Sequence, residues 1–171
     1  MKRYIPYGKQ NIDQDDIKAV AEALQYELIT QGPRVEEFEA RIAEYCGVKY
    51  AVAFNSGTSA LHAAMDAAGV RAGDEVISSP ITFVATTNSA VYLGARPVFV
   101  DMDFDSFCID IDQIEAAITS RTRVIIPVDY AGFPVDMKRI REIADRHHLA
   151  VIEDAAHALG AKRLGIPVGK E

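Results

Sequence analysis

From Tyr50 onward, short apolar runs rich in β-branched residues alternate with segments of helical periodicity, and no other feature of the sequence narrows the fold as far. Parallel strands cannot be joined by tight hairpins, so a strand–helix–strand pattern predicts a parallel sheet crossed by helices. The apolar runs fall at residues 51–54, 76–77, 98–100, 124–128 and 150–152, which predicts five strands. Between them lie helical stripes: Leu61 and Met65; the segment from Pro80 to Gly94; Ile111, Ile114 and Ile118; Met137, Ile140, Ile143 and Ala144. The punctuation agrees with this reading. Gly69 stops the first of these helices, and Asp110 and Asp136 stand where N-caps belong.

Ahead of this alternation the pattern is purely helical. Ile17, Val20, Ala21, Leu24 and Leu28 recur at helical spacing behind Asp13, Asp15 and Asp16, whose charges suit the positive end of the helix dipole. Residues 28–33 (LITQGP) break that helix. Pro33 then opens a second one, carrying Val35, Phe38, Ile42 and Tyr45 and stopping at Gly47. The chain therefore divides into a helical segment over 1–48 and an α/β part over 49–171. With 18 Lys and Arg against 25 Asp and Glu, the net charge of −7 provides no general attraction for nucleic acid or anionic lipid. Cys46 and Cys108 stand far from any second cysteine or histidine cluster, which argues against a disulfide framework or a metal site and for the cytoplasm. The first residues lack a signal-peptide core, and no apolar run reaches membrane-spanning length.

Ligands of open α/β sheets bind beyond the carboxyl ends of the strands, so polar residues there are the first functional candidates. The stretch at 150–160 reads AVIEDAAHALG. Asp154 ends the strand, the following alanines and Gly160 leave room for a flat ligand, and His157 is the polar group among them. Strand alternation sends Glu153 and Asp154 to opposite sides, so one of the two faces the crevice. Ser56, Gly57 and Thr58 open the helix after the first strand. That is either an ordinary cap or a cradle for an anion at the helix N-terminus. Phe83 is either core or a stacking face for a planar ligand. The acidic loop at 101–105 resembles a calcium loop but lacks its glycine and distal glutamate, and reads as a solvated turn.

Four motifs, SGTSA at 56–60, PITFVAT at 80–86, PVDYAG at 127–132 and EDAAH at 153–157, occur here in the order and spacing of the DegT/StrS-type sugar aminotransferases. The resemblance extends to IPYGKQ at the start and to the LITQGP loop. Within that family the chain is most similar to the transaminases of pseudaminic acid synthesis. The resemblance implies a three-layer α/β/α large domain of fold type I, using pyridoxal 5′-phosphate (PLP), with five of its seven strands present and the small carboxy-terminal domain absent. It implies strand order 3-2-4-5-6-7-1, in which the strand at 51–54 would lack its neighbour. By carry-over, Asp154 pairs with the pyridinium nitrogen, Gly57 and Thr58 hold the phosphate with Ser56 beside them, Phe83 stacks on the ring, and His157 faces the phenolic oxygen. Tyr7, Thr30 and Gly32 become candidates for the wall of a nucleotide-sugar pocket. The implied partners are a nucleotide-linked 4-keto sugar, an amino donor such as glutamate, and a second copy in a homodimer.

One family residue has no counterpart. The Schiff-base lysine belongs to a motif beyond EDAAH, and Lys162 and Lys170 stand in a stretch (AKRLGIPVG, 161–169) that resembles a surface hairpin. The sequence is therefore expected to be the amino-terminal part of a sugar aminotransferase and inactive alone. Two alternatives stay open: a PLP-dependent sugar dehydratase of the same superfamily, and a non-catalytic sugar-nucleotide-binding module.

Overall fold

A computed structural model describes residues 9–26 and 28–170. Helix α1 (Gln14–Ala23) begins at a capping box in which Asp13 accepts from the N–H groups of Asp15 and Asp16 while Asp16 accepts from Asp13. It ends at Ala23, before the predicted stripe runs out at Leu28, and Ile17, Val20 and Leu24 are exposed. Helix α2 (Pro33–Cys46) carries proline in its first turn and stops at Gly47, whose left-handed backbone (φ 70°) suits a residue without Cβ.

Residues 51–54, expected as the first strand, join no ladder. Val52 and Phe54 are exposed, and the Ala53 N–H donates to Glu39 of α2 at 2.8 Å. The apolar pattern is a strand's, but a strand needs a neighbour, and none of the described residues provides one. The chain then enters α3 (Gly57–Ala67), capped by Ser56.

Four strands form the sheet: β1 (Glu75–Ser78), β2 (Arg96–Phe99), β3 (Thr122–Ile126) and β4 (Ala150–Val151), in the order β2-β1-β3-β4 and all parallel. This is the order 3-2-4-5 expected from the resemblance. The crossovers are α4 (Ala85–Val91), α5 (Ile111–Ala117) and α6 (Met137–His147). Asp110 and Asp136 cap α5 and α6 as their positions predicted.

Strand alternation splits the core into two layers. Val76, Val124 and Ile126 pack with Met65 of α3 and Ala90 of α4 on one face. Ile77 and Ile125 pack with Ile114 of α5 and Ile140 of α6 on the other. The three layers are thus helices, sheet, helices, and each fully buried isoleucine or valine contributes about 1.5–3 kcal/mol. The run at 150–152, expected to be buried on both faces, is half-buried, because β4 is an edge with β3 as its one partner among the described residues. Beyond it, β5 (Lys162–Arg163) and β6 (Ile166–Pro167) form the expected antiparallel hairpin, with Lys162 and Lys170 exposed.

At the amino end of the interior strand β1, Glu75 is fully buried and accepts from Arg96, Arg121 and Thr119. The Thr119 hydroxyl and the two guanidinium groups hold its carboxyl down at about 2. Cys46 and Cys108 are buried, unpaired thiols. Among the described residues no helix is long and apolar enough to cross a membrane.

Candidate active site

The parallel ladder outlasts β3 and β4. Asp154 N–H donates to Pro127 C=O at 2.9 Å, and Asp129 N–H donates to Asp154 C=O at 3.1 Å. Two acidic residues are thereby fixed side by side at the carboxyl edge of the sheet. They meet the N-terminus of α3 and the loop before α4 around a cavity of about 250 Å³, lined by Gly57, Thr58, Phe83, Asp129, Asp154 and His157, with Leu61, Thr82 and Tyr130 among the remaining walls.

Asp154 is only 7% exposed, and its carboxylate is held from two sides. Thr86 donates through Oγ1 to Oδ2 at 2.5 Å, and Ala156 N–H donates to Oδ1 at 3.3 Å. Thr86 has one hydroxyl proton and gives it to Asp154, so the Thr82 hydroxyl, 2.6 Å from Thr86 Oγ1, must be the donor in that pair. The result is a relay of two hydroxyls aimed at a carboxylate. Glu153 turns the other way, as alternation predicts, and accepts the Gly169 N–H beside the hairpin at 2.8 Å.

At the α3 end, the Ser56 hydroxyl accepts the Ser59 N–H at 3.2 Å and so acts as an ordinary cap. That cap leaves the Gly57 and Thr58 N–H groups without an intrahelical acceptor, because the first turn of any helix has none. A Cβ built on Gly57 meets no atom within 4 Å, so this helix end faces open space. Phe83 is 72% exposed on the cavity wall, which leaves its ring face available.

Of the residues singled out in the sequence, Gly57, Thr58, Phe83, Asp154 and His157 converge on one cavity, and Ser56 adjoins it as the cap. Thr30 and Gly32 do not line it. They lie in the α1–α2 turn, where a Cβ on Gly32 would sit 2.0 Å from the Leu28 carbonyl oxygen, so this glycine is required by close backbone approach. Tyr7 lies outside the described residues. The sequence reading missed Thr82, Thr86, Asp129 and Tyr130. Asp129 follows an apolar strand just as Asp154 does, and that position was the signal for it.

A second cleft, about 500 Å³, lies between the 103–112 segment and the 133–139 segment. Its two arginines are already paired within the chain: Arg163 with Asp136 at 3.0 Å, and Arg139 with Asp112. No cluster of histidine, cysteine and acidic residues fit for a metal occurs among the described residues.

A parallel α/β layer with a polar-edged cavity at its carboxyl edge is the architecture of a ligand-binding domain. Comparison with known proteins narrows that class. Residues 10–171 match the DegT/DnrJ/EryC1/StrS aminotransferase family, to which the chain belongs. It is 44% identical over 167 residues to UDP-4-amino-4-deoxy-L-arabinose–oxoglutarate aminotransferase of Shewanella sediminis, covering 98% of this chain and 43% of that protein. Among solved structures it is similar to PseC of Helicobacter pylori, an aminotransferase involved in the biosynthesis of pseudaminic acid. That match has 37% identity and a TM-score of 0.92, covering 98% of this chain and 45% of that one. The PLP-form of Spr1654 from Streptococcus pneumoniae matches with 34% identity and a TM-score of 0.90, over 96% of this chain and 46% of that one. The chain thus spans less than half the length of these relatives.

Proposed function

We propose that this chain forms the cofactor-binding part of a PLP-dependent aminotransferase that moves an amino group from glutamate to a nucleotide-linked 4-keto-6-deoxy sugar, of the kind used for surface glycans and pseudaminic acid. The observation that carries the reading is one cavity bounded by a buried carboxylate, a helix N-terminus and an exposed aromatic face. These groups fit PLP. When bound, PLP acts as an electron sink for a carbanion, and it does so best with its ring nitrogen protonated.

Each residue has a task that follows from its position. Asp154, fixed by Thr86 and Ala156, holds a proton on the ring nitrogen by presenting a negative charge that cannot rotate away. The Gly57 and Thr58 N–H groups, with the Thr58 hydroxyl, hold the phosphate at the positive end of α3, and Ser56 keeps that helix end in shape. Phe83 stacks on the ring and shields it from water. His157 faces the phenolic oxygen. Tyr7, Thr30 and Gly32 contribute to a nucleotide-sugar wall completed in a homodimer, which accounts for Thr30 and Gly32 standing away from this cavity.

Neither Lys162 nor Lys170 lines the cavity, so this reading places the covalent lysine outside the chain and expects the chain alone to be inactive. The sugar class and donor are supported by the nucleotide-sugar and oxoglutarate chemistry in the name of the Shewanella relative and by the pathway of PseC. Unpaired buried thiols support a cytoplasmic setting. The test is PLP titration of this chain and its Gly57→Ala and Asp154→Asn variants by absorbance, alongside amino-transfer assays of the whole protein with a UDP-linked 4-keto sugar. Saturable PLP binding weakened by both substitutions is expected. Binding indifferent to both removes the cavity from the reading.

A further inference from the structure

Asp129 is the one buried acid of the cavity to which the mechanism above gives no task. It is 1% exposed. Its Oδ1 accepts the Val135 N–H at 2.9 Å and so closes the turn over residues 129–135. Around that bond Tyr130 N–H donates to Val128 C=O and Gly132 N–H to Asp129 C=O, and Ala131 is held at φ 52°. Gly132, at φ 85°, packs so tightly on the segment after Asp154 that a Cβ there would lie 3.0 Å from the His157 carbonyl oxygen. The turn therefore sets both the Tyr130 wall and the backbone that presents His157.

The other carboxyl oxygen poses the problem. Oδ2 is buried with no N–H or O–H donor against it. The side chain that hydrogen-bonds to this carboxyl is Glu153, itself an acid and anchored on its far oxygen by the Gly169 N–H. Two carboxyl groups form a hydrogen bond only when one of them carries a proton. Of the titratable groups around Asp129, Glu153 and Asp154 follow β4, the Cys108 thiol lies in the loop before α5, and Tyr130 and His157 stand on the wall of the same cavity. Burial, with the Asp154 charge adding to it, pushes the Asp129 carboxyl above its ordinary range, while the hydrogen bonds from the Val135 N–H and from Glu153 work against that rise, as they do when Glu153 gives its proton to Asp129.

We propose that Asp129 and Glu153 share a single proton, and that this carboxyl–carboxylate link is a positioning device that ties the 129–135 turn to β4 and leaves Asp154 as the anion of the cavity. Asp129 is a positioning residue, acting on Tyr130 and His157 through the turn. Glu153, facing away from the cavity, connects that turn to the hairpin through Gly169. The link deepens the PLP reading but does not depend on it for its existence, and its test needs no cofactor.

Asparagine is the neutral stand-in for a protonated aspartate: its oxygen can keep the Val135 N–H and its amide can donate to Glu153. Infrared spectroscopy of this chain should show a protonated-carboxyl stretch above the ordinary carboxylate range of pH, lost in Asp129→Asn. Thermal unfolding should show the sign of the linkage. An acid whose folded pKa is raised contributes stability that is complete below its unfolded value, near 3.9, and is lost as pH rises through the folded value. The Asn variant has no such loss, so its melting temperature should match wild type in acid and exceed it increasingly as pH rises, while Asp129→Ala is less stable throughout. A wild type without the carboxyl band overturns the proposal. So does an Asn variant that is destabilised as much as the Ala variant at every pH. If the band and the pH trend are found but PLP does not bind, the shared proton stands and the cofactor reading falls.

Discussion

Replacing Thr86 by valine isolates the support that Asp154 receives from behind. Thr86 is fully buried, and valine matches its shape, so the change removes a hydroxyl and leaves packing almost intact. Two bonds go with that hydroxyl: the one to Asp154 Oδ2 at 2.5 Å and the one from Thr82 at 2.6 Å. Asp154 keeps only the 3.3 Å contact from Ala156 N–H, and its Oδ2 is left buried without a donor. A hydrogen bond to a charged group contributes about 1.5–3 kcal/mol, and losing the partner of a buried acceptor costs its desolvation in full. At about 2–4 °C per kcal/mol for a protein of this size, the melting temperature should fall by about 3–12 °C. Thr82→Val removes only the outer, neutral bond and should cost about 0.5–1.5 kcal/mol. Calorimetry of the three proteins gives the stability comparison. PLP titration gives the functional one, where a loosely held Asp154 should weaken binding by about tenfold, or 1.4 kcal/mol. If Thr86→Val melts and binds PLP like wild type, Asp154 does not rely on this hydroxyl, and the relay is only a contact.

Three further outcomes are expected. In the whole protein, Asp154→Asn should fold normally but lose about two to four orders of magnitude in amino transfer (~3–5 kcal/mol), because an amide cannot keep the ring nitrogen protonated, whereas Glu153→Gln should be far milder; steady-state kinetics decide this. Glu75 has its carboxyl held down at about 2, so its stabilising network is complete above the ordinary carboxylate range and is lost as pH falls toward 2; Glu75→Gln should flatten the acid limb of a melting curve against pH. Borohydride reduction of the chain with PLP, followed by peptide mass spectrometry, should leave Lys162 and Lys170 without stoichiometric label, and full labelling of either would place it in the site.

What could be read from the letters was local, and what could not was pairing. Asp110 and Asp136 cap α5 and α6 as expected, since a cap depends on a side chain and an N–H two or three residues away. The two-layer core was equally legible, because alternation along β3 sends Val124 and Ile126 to one face and Ile125 to the other. Residues 51–54 have the same apolar character as β1, yet they make no strand, because a ladder also needs a second chain segment and composition does not say whether one is there. The site divides along the same line. Asp154, Gly57 and Phe83 were visible because each ends a strand or opens a helix in its own stretch of sequence. Thr86 was not, since a threonine inside a helix looks the same whether its hydroxyl faces its own turn or, as here, a carboxylate 68 residues further along the chain. Asp129 fell between the two cases. Its place after an apolar run marked it as a strand-end acid, but its distinguishing property is an oxygen with no donor against it and a second acid beside it, and those exist only once β3 and β4 are paired. A cavity-lining residue that ends a strand or opens a helix can thus be found from its own neighbourhood in the chain, whereas a residue whose partners lie on another strand becomes recognisable only from the register of the sheet.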